Sequence, residues 1–478
     1  MPTTTDKETG LEIVPLWIDG APAKSAKEAK FPVYSSARQK NVFLAQSADI
    51  ESAVKAAESV EKAFESWKKT PAAARRKIVL RYVELVQERA AELIQVQIEE
   101  TSCSEAWAKF NIDYTVGMIN EVAARITTAC TGEVPPMAND GTFGIVIREP
   151  IGPVLLIAPW NAAVVLATRG LAAILSAGCT AVFKASELSP RTHHLLLELW
   201  IEAGLPKNAI SVVQTQRSDA PAVTEALIAH PAIRKIEFVG SAPVGRIIGS
   251  LAGKYLKPIL MELGGKCAAI VLEDANLEDA ATKSVIGAFN HHGQICFSTE
   301  RIVVLRSVAD SFIDLVKKKT LQWPQTHGVN ARIVRTSYEM LTDAQSKGAE
   351  FILGKPEYLS ETSLTPAILT GVTKEMKIWD EESFGPSTTV VVVDDHQQAI
   401  RVVNESNYGL DTILFTKDMK RAIEIAQELQ VGRIRVNSVA HEATFPTNPV
   451  KGSGYGANNG RHGIEEFLLK KVITMDFR

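Results

Sequence analysis

The sequence predicts an α/β protein built on two doubly wound parallel sheets. Three observations predict it. Short apolar runs of four or five residues recur from Val154 onward. Stretches of helical period separate them, several closed by a glycine such as Gly178 or Gly204. The chain also has 478 residues, room for two or three domains at about 150 residues each. Short buried strands alternating with helices are the pattern of a parallel sheet covered on both faces.

Residues 1–49 read as irregular, with short strand-like pieces. From Ala53 the period turns helical, and Val54, Ala57, Phe64 and Trp67 share one face. Thr70-Pro71 reads as an N-cap followed by proline at the first helical position. Val79, Val83, Val86, Ala90 and Leu93 continue a second amphipathic helix. The first sheet then takes strands at 154–157, 180–184, 210–213, 236–239 and 259–263. Helices at 167–177, 190–203, 219–229 and 243–253 connect them. The second sheet takes strands at 268–272, 301–305, 389–393, 412–416 and 434–437, with helices at 277–289, 308–320, 396–404 and 418–430. The segment 142–149 and a last strand near 471–477 alternate like edge or hairpin strands. Such strands can leave the body and pair with another subunit.

Hydrophobic residues make up 46% and charged residues 22%, an ordinary globular balance. Lys and Arg number 52 against 55 Asp and Glu, for a net charge of −3. That balance implies no basic face, so nucleic acid and anionic membrane are poor partners. The best candidate span, 164–183, is interrupted by Arg169 and two glycines, short of the ~18 apolar residues a membrane helix needs. The first residues have no apolar core of a signal peptide. Five cysteines (103, 130, 179, 267 and 296) form no CxxC pair and no metal spacing. An odd count without a secretory signal reads as reduced thiols in the cytoplasm, with no metal site.

Ligands of doubly wound sheets bind beyond the C-terminal ends of the strands, so the strand ends hold the candidates. Pro159-Trp160-Asn161 follows the first strand. Its ordinary reading is a turn with a buried Trp; functionally, Asn161 can offer an amide N–H to a developing oxyanion. Lys184-x-x-Glu187 follows the next strand, and an acidic residue there can bind ribose hydroxyls. A solvated ion pair is the commoner truth for one such motif. Gly240-Ser241-Ala242-Pro243-Val244-Gly245 turns from strand to helix, where free N–H groups attract phosphate. It is neither G-x-G-x-x-G nor a Walker motif. Glu262-Leu263-Gly264-Gly265-Lys266 ends a strand with a carboxylate suited to general base work, and two glycines let a ligand approach. Alternatively the carboxylate only accepts backbone N–H bonds. Gly293-Gln294-Ile295-Cys296 places a thiol in a turn before a strand, where a neighbouring cation or N–H group would activate it. Cys103, Cys130, Cys179 and Cys267 read as small buried hydrophobes. Glu382-x-Phe384-Gly385-Pro386 offers a ribose ligand and a flat ring, or simply an anchored turn. The pairs His193-His194 and His291-His292 read as surface or helix-end histidines, since sequence neighbours point apart.

Five of these motifs, Pro159-Trp160-Asn161, Lys184-x-x-Glu187, Glu262-Leu263-Gly264-Gly265-Lys266, Gly293-Gln294-x-Cys296 and Glu382-x-Phe384-Gly385-Pro386, stand in an order that resembles the aldehyde dehydrogenase superfamily. The step of 34 residues from Glu262 to Cys296 fits as well. The resemblance runs from about residue 15 to the end. Within the superfamily, Gly293 through Arg301, Glu381 through Pro386 and the pair His441-Glu442 resemble the salicylaldehyde, vanillin and benzaldehyde dehydrogenase branch.

The resemblance implies an aldehyde dehydrogenase-like fold. Residues 1–128 and 150–262 would form an NAD-binding domain, 263–440 a catalytic domain, and 129–149 with 465–478 an oligomerisation arm. It implies NAD(P)-dependent oxidation of an aldehyde to its acid. Cys296 would be the nucleophile, Asn161 and the Cys296 N–H the oxyanion donors, and Glu262 the base that hydrolyses a thioester. Pro159, Trp160, Lys184, Glu187, Gly240, Ser241, Val244, Gly245, Leu263, Gly264, Glu382 and Phe384 would bind the cofactor. NAD is preferred over NADP because Glu187 suits a free 2′-hydroxyl. A homodimer or homotetramer and a small aromatic aldehyde would be the partners. Phe297, Trp160 and Phe445 are candidates to line the substrate tunnel. Pro446 through Pro449 departs from the family's glycine-rich segment and stiffens a loop by the substrate entrance. The alternatives are transfer of the thioester to coenzyme A, which Glu262 argues against, and a non-catalytic nucleotide-binding protein of the same fold.

Overall fold

The computed structural model describes residues 4–478. Its largest sheet has eight strands, in the order Gly454–Tyr455, Ile259–Glu262, Lys235–Val239, Val154–Ile157, Ala181–Lys184, Ile210–Val213, Leu16–Ile18 and Ala21–Ala23. The middle five are parallel; the outer strands pair antiparallel. The chain winds outward in both directions from Val154–Ile157. Strand order therefore reverses between that strand and Lys235–Val239, and a sheet of this kind opens a crevice at such a reversal.

The second sheet has seven strands: Glu350–Leu353, Ala367–Thr370, Ser387–Val393, Arg301–Leu305, Ala268–Val271, Thr412–Phe415 and Ile434–Val436. All pair parallel except Glu350–Leu353. The two segments read as edge strands pair with each other: Thr142–Pro150 and Leu468–Asp476 form an antiparallel ribbon from Thr142 opposite Asp476 to Pro150 opposite Leu468. Among the described residues no helix is long and apolar enough to cross a membrane.

Several elements differ from the sequence reading. The irregular start contains a sheet of Thr4–Thr5, Glu12–Val14, Lys40–Gln46 and Lys30–Ser35. The first helix is Ile50–Trp67, capped by Asp49, which accepts from Ser52 N at 2.8 Å. Pro71 itself caps the next helix with extended ψ, so Thr70 is not the N-cap. The apolar run to Leu93 is split at Arg89 into Ala72–Glu88 and Ala90–Thr101. The helix Glu105–Ala129 escaped the reading because buried Asn111 and Thr115 interrupt its apolar stripe. Ala163–Ala177 starts earlier than its pattern suggested: every residue in it is buried, so no polar face marks its ends.

The four paired histidines are buried, not superficial. Burial pushes each of them down to about 3, so they are neutral rings. His291 and His292 take left-handed backbone, with φ of 50° and 59°. Cys130 is half-buried, unlike Cys103, Cys179 and Cys267.

Candidate active site

A cleft of about 1560 Å³ opens where the strand order reverses. It is lined by Pro159, Trp160, Asn161, Lys184, Glu187, Gly240, Ser241, Val244, Leu263, Gly264, Cys296, Glu382 and Phe384. Two residues from the sequence set stand elsewhere. Gly245 lies under Leu263, where a Cβ would come within 2.5 Å of Leu263 Cδ2. Glu262 lies behind Cys296.

Cys296 and Glu262 meet. The Cys296 thiol is 3.7 Å from Glu262 Oε1. The turn that follows Glu262 needs glycine at both of its crowded positions. A Cβ on Gly265 would be 2.7 Å from the Cys296 carbonyl oxygen. One on Gly264 would be 2.1 Å from Glu382 Oε2. Burial, with the carboxyls of Glu262 and Glu382 nearby, pushes the Cys296 thiol well above its ordinary range. The resting group is therefore the thiol, and a base must take its proton before it adds to carbon.

Asn161 is fixed at both ends. Its Nδ2 donates to the Gln294 carbonyl at 3.0 Å, and its own carbonyl accepts from Trp107 Nε1 at 2.9 Å. One Nδ2 hydrogen remains for a ligand. The Cys296 backbone N–H has no partner among the described residues, so both N–H groups are free to donate to a ligand.

The other end of the cleft is polar. The Lys184 ammonium lines it without a hydrogen bond, and burial lowers its pKa. Arg217, Arg246 and Arg332 also line the cleft. Glu382 accepts from Gly265 N at 3.2 Å, and burial with the Glu300 charge pushes its carboxyl up to about 8. Helix Ala242–Lys254 begins at Ser241, whose side chain makes no cap, leaving the first N–H groups free. An unpartnered ammonium, a buried carboxyl and free helix N–H groups together fit a dinucleotide's riboses and phosphates.

Sequence reading missed Arg169 and Glu300 as site residues, and Trp107, Phe110 and Tyr114 among the rings. Arg169, inside the fully buried helix Ala163–Ala177, donates to Glu262 Oε2 in a pair where both side chains are buried. Glu300 accepts from Ser383 N at 2.9 Å, Phe384 N at 3.0 Å and the Lys266 ammonium at 2.6 Å. It thereby holds Phe384 at a left-handed φ of 48°. A nest of rings gathers beside Cys296. His441 lies 4.3 Å from Phe297 and 5.9 Å from Tyr114, and Phe110 stacks on Trp107 at 5.3 Å. Trp160 meets Phe384 and His291 edge-on. Phe445, a candidate for the same wall, is largely exposed. The 446–449 loop is tied down by backbone bonds between Thr447 and Asn458.

A buried thiol meets a carboxylate beside a cleft at the sheet's switch point, the place where enzymes of this α/β class hold their ligands. The model of the "Aldehyde dehydrogenase family" matches residues 23–473. Vanillin dehydrogenase of Pseudomonas sp. (strain HR199 / DSM 7063) is 38% identical over 474 residues, covering 97% of this chain and 98% of that one. Salicylaldehyde dehydrogenase of Pseudomonas sp. (strain C18) is 36% identical over 483 residues, covering 98% of each. The crystal structure of a salicylaldehyde dehydrogenase from Pseudomonas putida G7, complexed with salicylaldehyde, superposes with a TM-score of 0.94 at 34% identity, covering 97% and 98%. The chain belongs to the aldehyde dehydrogenase family. It is an NAD(P)-dependent aldehyde dehydrogenase.

Proposed function

We propose that this enzyme oxidises aromatic aldehydes to free carboxylic acids through Cys296. The observation that carries the reading is the Cys296 thiol 3.7 Å from Glu262, beside the pinned Asn161 amide. The rings of Trp107, Phe110, Tyr114, Phe297 and His441 support a flat apolar substrate. The vanillin and salicylaldehyde enzymes named above support it too.

In this reading the thiol proton leaves to solvent in the cleft as Cys296 Sγ adds to the aldehyde carbon. The Asn161 amide and the Cys296 N–H hold the oxygen of the resulting thiohemiacetal. When bound, the nicotinamide supplies the hydride acceptor that turns this adduct into a thioester. Glu262 then takes a proton from water, whose oxygen joins the acyl carbon as the C–S bond breaks, and returns that proton to the leaving Cys296 sulfur. Lys184, Glu187 and Glu382 hold riboses. Ser241 and Val244, at the helix start, face the pyrophosphate. Pro159, Trp160, Gly240, Leu263, Gly264 and Phe384 shape the cofactor wall, and Gly245 lets Leu263 pack there. Glu187 favours NAD, whereas Arg217 and Arg332 at the same cleft leave room for NADP.

Residues 1–128 with 150–262 act as the dinucleotide-binding unit, and 263–440 presents the thiol. The arm of 129–149 and 465–478 joins copies into a homodimer or homotetramer. Five unpaired cysteines suit the reducing cytoplasm.

The test is kcat/KM across an aliphatic-to-aromatic aldehyde series with NAD and with NADP, with the product identified in the presence and absence of coenzyme A. Best turnover on an aliphatic aldehyde, or an acyl-coenzyme A product, would overturn the reading. Asn161→Ala is expected to lower kcat about 10²–10³-fold, the usual cost of one oxyanion donor. Stopped-flow measurement of NADH formation checks it.

A further inference from the structure

Glu237 is a buried carboxyl that the chemistry above does not use. It stands on Lys235–Val239, opposite Leu156 and Leu260, while Val239 on the same strand is opposite Glu262. Partners in a parallel ladder share a sheet face, as do residues two apart on one strand. Glu237 and Glu262 therefore lie on the same face, beneath the helix that carries Arg169. Glu237 is 1% exposed, and neither of its oxygens has a hydrogen-bond partner. Arg169 Nε is likewise buried and unpartnered. The residue after Arg169 is shaped for this carboxyl: a Cβ on Gly170 would lie 2.8 Å from Glu237 Oε2 and 2.6 Å from Leu156 Cδ1.

The charged neighbours are few. Arg169 acts on both Glu237 and Glu262, and the Tyr114 phenol faces it from the next helix. Lys235, two residues before Glu237, is engaged elsewhere, donating at 2.6 Å to both the Glu466 carbonyl and Glu466 Oε2. Arg169 is thus the one guanidinium between two carboxyls, and it pairs with Glu262 alone.

The geometry points to Glu237 as a positioning residue for Glu262: it is the second carboxyl of Arg169, and when charged it draws the guanidinium away, freeing Glu262 to take a proton from water. A carboxylate locked to a guanidinium is a poor base, because proton uptake must break the pair. Burial pushes the Glu237 carboxyl up to about 7, so it gains charge as pH rises through neutrality. Below that range Arg169 serves Glu262 alone. Above it, Glu237 competes and thioester hydrolysis accelerates. The inference rests on Glu262 being the hydrolytic base.

The test uses Glu237→Gln in the full-length enzyme, with Gly170→Ala as a second variant that displaces the carboxyl while keeping its charge. In both, kcat is expected to fall about tenfold near pH 8 and little near pH 6, losing its rise through neutrality. Aldehyde kcat/KM should stay unchanged, because it reports steps before hydrolysis. A burst of about one NADH per site should precede the slow steady state. A wild-type pH profile in Glu237→Gln would overturn the inference. So would a parallel fall of kcat and kcat/KM at every pH with a lowered Tm, which marks a purely structural role. Glu262→Gln separates the two readings. If it hydrolyses its thioester at the wild-type rate, the base assignment fails. If it stalls while Glu237→Gln behaves as wild type, only the role of Glu237 fails.

Discussion

Cys296→Ser is expected to abolish NADH formation from any aldehyde, at every pH at which the fold persists. A hydroxyl is a far weaker nucleophile than a thiolate, and the site already resists ionising the thiol. Burial and two nearby carboxyls oppose a negative charge at this position, so a group with a much higher pKa has no route to activation. Loss of a covalent nucleophile costs up to about 10⁶-fold in turnover. The fold should be unaffected, because Cys296 packs in a turn and not in a sheet. Absorbance of NADH at saturating aldehyde, with a melting curve as control, checks it. Retained turnover would remove Cys296 from its role.

Glu262→Gln has a different signature. One equivalent of NADH should form quickly and then nearly stop, since the thiol proton leaves to solvent without Glu262 whereas hydrolysis needs a water that Glu262 activates. Loss of a general base costs about 10²–10⁴-fold. The stalled enzyme should carry the acyl group on Cys296, visible as an added mass by intact-protein mass spectrometry. Removing the carboxylate would ordinarily leave a buried guanidinium unpaired, a change worth about 3–5 kcal/mol. Here Glu237 is at hand to receive Arg169, so the loss of stability should be smaller. A melting curve reads that difference directly. Steady turnover without an acyl adduct would show that another group primes the water.

The central sheet was legible because its strands are short and mostly apolar, and turns or helix caps punctuate them. Val154–Ile157 and Ile210–Val213 emerge with the bounds that their apolar runs suggest. The cleft followed from the topology, and its lining includes nearly every strand-end residue singled out beforehand. Periodicity fails where a helix has no solvent face, as in Ala163–Ala177, or where polar side chains are buried within the stripe, as with Asn111 in Glu105–Ala129. The histidine pairs were misplaced for a related reason. Neighbouring side chains do point apart along a helix, but left-handed backbone at His291 and His292 turns both rings inward. Arg169 and Glu237 could not be paired in advance, because nothing local in the chain says that two ionisable groups on different elements face one another across an apolar layer.

The two-stranded ribbon of Thr142–Pro150 and Leu468–Asp476 makes the end of the chain unusually consequential. Among the described residues it joins neither large sheet, and it displays Phe143, Leu469, Val472 and Ile473 to the outside. Clipping the chain before Leu468 would strip nine rungs from the other strand and leave an open, sticky margin. Such a shortened enzyme should turn cloudy on concentration while the intact one stays clear, a difference that light scattering would register long before any assay of turnover.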